Sequence, residues 1–180
     1  MPIRTEEKSL EWFINTVLID NMGRMARTEG LQYLSFGAVA VGIELLGACE
    51  DEDEFTIEKR SKARFRVGIN RYMNQIDARY GLHNSESSQF HLYKFLRCGM
   101  AHILRPHGIM FTTENEATND RTAHLEVNAE TGCLVLVAEN FHYDFARACL
   151  ILKSELPNLR KRSVKMHQKL NECFLPLTHF

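Results

Sequence analysis

Helical spacing of apolar residues dominates the first hundred positions of this 180-residue chain. One stripe consists of Leu10, Ile14, Val17 and Leu18, and a second repeats at intervals of four and three residues through Leu34, Ala38, Val41, Leu45 and Ala48. A period near 3.6 residues places such side chains on one face of an α-helix. The sequence therefore predicts two core helices, each burying its stripe.

Two further helices are predicted before position 105. The first covers 58–80, where an apolar stripe runs beside a cluster of basic residues. The second begins at an N-cap, Ser87 or Ser88, and ends near Leu104, because Pro106 has no amide hydrogen to continue a helix.

After this proline the period of the apolar residues changes from 3.6 to 2. The alternating pairs are Ile109 and Phe111, Leu125 and Val127, and Leu134 and Leu136. Alternation of this kind is typical of half-buried strands. The sequence predicts a small three-stranded antiparallel meander, inserted at about 107–138 into a mainly α-helical bundle that forms one domain over 1–180.

Helical spacing resumes after the predicted meander. A fifth helix is expected to run to Pro157, followed by a last helix whose polar side is basic. The segment Phe141–Phe145 opens the fifth helix directly after a strand. Its polar members either line a pocket or serve as cap and core, and the latter is the commoner role of such a helix start.

Charge is balanced over the chain, with 22 Lys plus Arg against 23 Asp plus Glu. Binding to nucleic acid would therefore depend on local patches. The candidates are Lys59, Arg60, Lys62, Arg64 and Arg66 in one stretch, and Arg160, Lys161, Arg162 and Lys165 in another. The acidic run 50–54 has no apolar face and predicts a solvated loop.

The sequence also predicts the compartment. The longest uncharged apolar stretch, 31–43, is shorter than the roughly 20 residues that span a bilayer, so no membrane association is expected. The first dozen residues are too charged for a secretory signal. Five widely spaced cysteines without a C-x-x-C pair predict free thiols in a reducing cytoplasm.

The predicted fourth helix places one arginine and one histidine in an apolar segment, 92–104. Buried polar side chains require partners or a function. Gly99 costs a helix about 1 kcal/mol relative to alanine, which predicts the close approach of another backbone or a ligand, here expected to be a second helix.

These residues carry a family resemblance. The run Arg97-Cys98-Gly99-Met100-Ala101-His102 fits the R-x4–6-H motif, and the sequence from Leu96 to His102 resembles the motif helix of the HEPN (higher eukaryotes and prokaryotes nucleotide-binding) superfamily. The resemblance implies a HEPN-like helical fold and a metal-independent endoribonuclease, or an inactive relative, without cofactor. It also implies a homodimer in which the motif helices of two subunits face one another across a composite site.

The resemblance implies a role for each residue of the motif. His102 would be the general base or acid, and Arg97 would stabilise phosphate charge in the transition state. Their five-residue separation puts the two side chains about 140° apart around a helix, so a two-fold dimer would supply the convergence. Cys98, Gly99 and Glu44 are the supporting residues.

A structural interpretation stands beside this one. Arg97 is also suited to a buried ion pair with Glu44, and His102 to a favourable position against the helix dipole. Cys98 departs from the family, in which active members commonly carry Asn, Asp or His after the arginine. Cys98 and the near-neutral net charge favour the alternative of a catalytically inactive interaction or dimerisation module. A Cys98–His102 nucleophile is a third, weaker interpretation, since free cysteines usually pack inertly.

Overall fold

The computed structural model describes residues 9–171 of the chain, which form a helical bundle and a two-stranded sheet. Helix α1 spans 10–27, with a π-helical stretch Phe13–Asn21 between Leu10–Trp12 and Met22–Arg27, and α2 spans Gln32–Ala48. Helix α3 spans 61–76, made of Ser61–Gly68, π-helical Ile69–Met73 and Asn74–Ile76, and α4 is Arg79–Leu82. Helix α5 spans 93–103, with π-helical Tyr93–Cys98 followed by Gly99–Ile103. Strand β1 (Ile109–Thr112), α6 (Glu114–Asp120), β2 (Leu134–Val137), α7 (Ala138–Leu159) and α8 (Val164–Leu170) complete this range.

Helix α2 lies at the centre of the bundle, against α3 and α7. Its backbone meets that of α3 at two glycines. A methyl group at Gly47 would lie 1.7 Å from the carbonyl oxygen of Arg64, and one at Gly68 would lie 2.1 Å from that of Ile43. The crossing of α2 and α3 therefore depends on the absence of side chains at both positions.

The buried face of α2 differs from the predicted one. Leu34 and Val41 are 46% and 54% exposed, whereas Phe36 and Ile43 are fully buried. The prediction was wrong because nearly every position of this helix is apolar, so spacing alone does not select a face. The glycines decide the face, since they allow α3 to approach from one side only.

The predicted antiparallel meander is also wrong. Strands β1 and β2 pair in parallel, with Ile109 opposite Leu134. Helix α6 lies between them in the chain and begins at a capping box, in which Thr113 accepts from the amide of Glu116 and the Glu116 carboxylate accepts from that of Thr113. This helix carries the chain back so that β2 runs in the direction of β1. Val127 contributes a single antiparallel bridge.

The end of the predicted fourth helix is confirmed, and its start is wrong. Helix α5 stops before Leu104, whose φ of 50° is left-handed. It starts at position 93 and not after Ser87 or Ser88. The amide of Lys94 donates to Nδ1 of His91 at 3.2 Å, so a histidine takes the place of the expected serine cap.

The last two helices are divided differently from the prediction. Helix α7 continues through Pro157 and ends at Leu159. Helix α8 begins only after Ser163, whose hydroxyl accepts from the amide of Met166 at 3.1 Å. The basic residues at 160–162 therefore occupy the connection between the helices instead of the face of the last one. No helix of residues 9–171 has the length and apolarity that a membrane span requires.

Candidate functional site

Arg97 and Glu44 form the centre of the candidate site. Nε of Arg97 lies 2.8 Å from Oε2 of Glu44, and each side chain is 20% exposed. Oε2 of Glu44 also accepts from the hydroxyl of Ser61 at 2.8 Å, and Ser61 accepts from the hydroxyl of Tyr93 at 3.3 Å. The ion pair considered from the sequence is therefore present, within a hydrogen-bond chain that joins α2, α3 and α5.

Only one nitrogen of the Arg97 guanidinium is used by this pair. Within residues 9–171, neither terminal nitrogen of Arg97 has a hydrogen-bond partner. Glu44 thus fixes the orientation of the guanidinium and leaves free the two nitrogens that can bind a phosphate or carboxylate in bidentate fashion.

His102 lies in the last turn of α5 and is exposed. No hydrogen bond or ion pair joins it to Arg97 in the described part of the chain. The turn that follows is fixed by Tyr33 of α2, whose hydroxyl donates to the carbonyl oxygen of Leu104. Arg97 and His102 are therefore carried by one rigid helix without converging within a single chain.

Gly99 marks the place where the chain folds back over α5. A methyl group here would lie 2.6 Å from the carbonyl oxygen of Arg105 and 3.2 Å from Cα of Pro106. The amide of Arg105 donates to the carbonyl oxygen of Gly99 at 3.2 Å. The expected close approach of another backbone is confirmed, but this backbone belongs to the segment after the helix and not to a second helix. Cys98, beside it, is a half-buried free thiol.

A groove of about 720 Å³ begins at the end of α5. Its walls are formed by Tyr33, Ile103, Arg105, Pro106, His107, Gly108, Ile109, Phe111 and Cys133. Tyr33 and Phe111 meet edge to face with ring centroids 5.5 Å apart. The groove combines aromatic rings with exposed Arg105 and His107, which follow His102 closely in the sequence. The groove was not predicted from the sequence, although Arg105-Pro106-His107 directly follows the motif.

Arg64 is not available for the predicted binding of nucleic acid. It is buried, and its Nε and Nη2 donate to the Asp51 carboxylate at 2.8 and 2.9 Å. Its remaining hydrogen bonds go to the carbonyl oxygens of Asp53, Glu54 and Phe55. Buried Lys169 also donates to the Asp51 carboxylate at 2.9 Å. These cations hold the acidic loop against α3 and α8, so the prediction of a solvated loop at 50–54 is wrong for Asp51, whereas Glu52 and Glu54 are exposed as predicted.

The other basic candidates fall into two groups. The side chains that form ion pairs are Arg60 with Asp53 at 2.8 Å, Lys62 with Glu86 at 2.7 Å, Arg160 with Glu11 at 2.6 Å and Arg162 with Glu50 at 2.7 Å. The side chains that are exposed without an ion pair in the described range are Lys59, Arg66, Lys161 and Lys165. Only the second group offers uncommitted charge to a phosphate backbone.

Comparison with protein-family models, curated proteins and solved structures found no match. Among residues 9–171, no three His, Cys, Asp or Glu side chains cluster where they could hold a metal ion. The four cysteines in this range, Cys49, Cys98, Cys133 and Cys149, are free thiols, and Cys173 lies outside the described residues. The HEPN resemblance of the motif helix thus stays a prediction.

A second polar network, not predicted from the sequence, is buried between α4 and α7. Tyr80 donates to Oδ2 of Asp144 at 3.0 Å and lies 2.9 Å from Nε2 of His124. Nδ1 of His124 accepts from the amide of Val137 at 3.0 Å. Burial lowers the pKa of His124 to about 4 and raises that of the Asp144 carboxyl. Its partners are all internal, so this network stabilises the junction of β2 with the helices.

Proposed function

We propose that this protein is a HEPN-like, metal-independent endoribonuclease that acts as a homodimer in the cytoplasm. The proposal depends on the hydrogen bonding of the Arg97 guanidinium. Glu44 orients it through Nε, and its two terminal nitrogens have no partner in the described range. Exposed His102 lies on the same helix. One helix thus offers a fixed phosphate-binding cation and an imidazole that can serve as general acid or base.

The chemistry needs only proton transfer and charge stabilisation. One His102 removes the proton of the ribose 2′-hydroxyl while the 2′-oxygen attacks the adjacent phosphorus. The bond from phosphorus to the 5′-oxygen breaks, and the second His102 of the dimer donates a proton to that oxygen. Arg97 stabilises the additional negative charge on the phosphoryl oxygens. The products are a 2′,3′-cyclic phosphate and a 5′-hydroxyl.

The partner in the dimer is a second copy of this chain, seated on the outer face of α2. This outer face, made of Leu34, Ala38, Val41 and Leu45, is apolar, with Leu34 and Val41 exposed and Ala38 and Leu45 half-buried. It adjoins α5, because Gly37 on the same helix is in contact distance of Met100. A two-fold axis across this face brings two copies of α5 together and supplies the convergence that one chain lacks.

The groove after α5 gives the RNA a path away from the reacting bond. Tyr33 at its wall provides a ring on which an unpaired base can stack, and exposed Arg105 provides a charge for the backbone. Stacking on aromatic rings requires unpaired bases, so single-stranded segments are the favoured substrate.

The test is cleavage of single-stranded, structured and transfer RNAs in EDTA by the parent chain, Arg97→Ala and His102→Ala. His102→Ala should reduce cleavage by about 100-fold or more and leave the fold intact, because this side chain is exposed. His167→Ala, at an exposed histidine on α8, is the matched control and should cleave normally. Unchanged cleavage in the His102 variant would refute the assignment.

A second function, an inactive dimerisation module, is favoured by a different property of the same residues. Arg97 has a structural role, since it belongs to the hydrogen-bond chain through Glu44, Ser61 and Tyr93. Cys98 follows it, where active HEPN members commonly carry a polar residue. Under this alternative, the folded dimer cuts none of the RNAs. Arg97→Ala then lowers stability, and His102→Ala has no measurable effect.

A further inference from the structure

A second cleft, of about 550 Å³, opens between the last turns of α1 and the start of α7. Its walls are formed by Ile19, Asp20, Arg24, Arg27, His142, Tyr143 and Ala146. The volume lies within the roughly 300–1,000 Å³ of small-molecule sites. None of these residues belongs to the Arg97–His102 site, so the cleft is independent of the proposed function.

The charge of this cleft is positive. Arg24 and Arg27 are both exposed, and neither forms an ion pair within residues 9–171. Nη1 of Arg27 donates to the carbonyl oxygen of Gly23 at 3.0 Å, which holds the guanidinium over the helix. Asp20 is the acid of the wall. Two unpaired guanidinium groups on one helix favour an anionic ligand, and above all a phosphate.

The floor of the cleft contains a buried histidine with an unsatisfied atom. His142 is 3% exposed, and its Nε2 lies 3.2 Å from the carbonyl oxygen of Leu18. Because a carbonyl only accepts, Nε2 carries the hydrogen and Nδ1 is left with its lone pair. Nδ1 has no hydrogen-bond partner in the described part of the chain. An orphaned buried polar atom in a native protein calls for a ligand, ion or water.

Gly23 brings the histidine and the arginine together. A methyl group at this position would lie 2.7 Å from Cε1 of His142 and 3.1 Å from Nη1 of Arg27. A glycine inside a helix costs about 1 kcal/mol relative to alanine. Here it lets the His142 ring of α7 and the Arg27 guanidinium of α1 lie side by side at the floor of the cleft.

One wall of the cleft is aromatic. Tyr143 is 56% exposed, and Cζ of Arg147 lies 5.8 Å from the centroid of its ring. The geometry points to a nucleoside monophosphate as the ligand of this cleft, with its phosphate between Arg24 and Arg27 and its base against Tyr143. The phosphate then reaches His142 once the long side chain of Arg27 turns outward to bind it.

A phosphomonoester suits the floor better than a carboxylate does. Its second pKa is near 6, so it exchanges a proton readily at neutral pH. This proton lies between a phosphate oxygen and Nδ1 of His142. Whether the phosphate oxygen or Nδ1 carries it, the two atoms share a hydrogen bond and Nδ1 has a partner. A carboxylate titrates near pH 4 and supplies no such proton.

The test is isothermal titration calorimetry of the full chain with AMP, ribose 5-phosphate, inorganic phosphate and adenosine. AMP should bind, ribose 5-phosphate and inorganic phosphate more weakly, and adenosine not at all. Arg27→Gln should weaken the affinity for AMP by about tenfold or more, because a charge-assisted hydrogen bond is lost. Arg66→Gln, at an exposed arginine of α3, is the control and should bind AMP as the parent does.

Further measurements separate this site from a non-specific charge effect. AMP should shift the imidazole resonances of His142 in NMR spectra and leave those of exposed His167 unchanged. AMP binding does not depend on the Arg97–His102 site, so it should be observed even if the parent chain cleaves none of the RNAs. The inference is overturned if the folded protein gives neither heat nor a His142 shift with AMP, or if Arg66→Gln weakens binding as much as Arg27→Gln.

Discussion

The Arg97 guanidinium is held at 2.8 Å from the Glu44 carboxylate through Nε alone, so its position is fixed while its two terminal nitrogens have no partner within residues 9–171. A purely structural arginine generally spreads its hydrogen bonds over all its nitrogens, as Arg64 does with one carboxylate and three carbonyl oxygens. Arg64 therefore has no nitrogen left for a ligand, whereas Arg97 has two.

Glu44→Gln separates the structural from the functional role of Arg97. The amide still accepts a hydrogen bond but carries no charge, so the free energy of unfolding should fall by about 1 kcal/mol. The substitution also removes a negative charge beside the guanidinium that would repel phosphate, so single-stranded RNA should bind more tightly in fluorescence anisotropy. A folded Glu44→Gln protein with weaker RNA binding would contradict a phosphate-binding role for Arg97.

Arg64→Ala should be among the most destabilising single changes in α3. It leaves the Asp51 carboxylate with Lys169 as its remaining cation and removes donors from three carbonyl groups. Arg64 is 4% exposed and Asp51 33% exposed, so the loss of these hydrogen bonds should cost about 2 kcal/mol or more. Urea denaturation measures the loss. Arg66→Ala, two positions away and exposed, should change stability by less than about 0.5 kcal/mol, and equal losses in the two variants would refute this account.

The positions of the helices follow from the sequence better than their contacts do. Periodicity predicts α1 and α2, and Pro106 predicts the end of α5, because both signals act over a few neighbouring residues. Periodicity also predicts Leu34 and Val41 of α2 in the core, whereas both are exposed. The buried face depends on the contact of α3 with Gly47, and α3 is a later part of the chain.

The sheet and the charged loop failed for a similar reason. Alternation in β1 and β2 predicted strands, but their parallel pairing depends on α6, whose capping box at Thr113 and Glu116 was readable as a helix start. The acidic run 50–54 appeared to be solvated because Arg64 and Lys169, which neutralise Asp51, are 13 and 118 residues away. Long-range pairing of charge leaves no local pattern.

Val41→Glu should dissociate the homodimer without unfolding the protein. The side chain is 54% exposed, so a carboxylate there is tolerated by the monomer and rejected by an apolar interface. Multi-angle light scattering should give the mass of a monomer, and RNA cleavage should be lost. Leu150→Glu, on α7 and 52% exposed, is the matched control and should stay dimeric. A dimeric Val41→Glu protein would place the interface elsewhere.

Acid should destabilise the fold through His124. Nδ1 of this ring accepts from the amide of Val137, so the hydrogen lies on Nε2, which donates to Tyr80 while Tyr80 donates to Asp144. Burial lowers the pKa of His124 from 6.5 to about 4. Below pH 6.5 the unfolded chain binds a proton that the folded chain refuses, so stability falls as pH drops from 6.5 towards 4.

The shift in the pKa of His124 corresponds to a loss of about 3 kcal/mol across that window, since one pKa unit is about 1.4 kcal/mol. The raised pKa of Asp144 opposes this loss at the acid end, because the folded carboxyl takes up its proton first. His124→Asn keeps an acceptor for the Val137 amide and does not titrate. Between pH 7 and pH 4.5, the urea midpoint should therefore fall much less in this variant than in the parent. The other histidines with lowered pKa values, His83, His91 and His142, remain in both proteins, so equal falls would assign the acid sensitivity to them and not to His124.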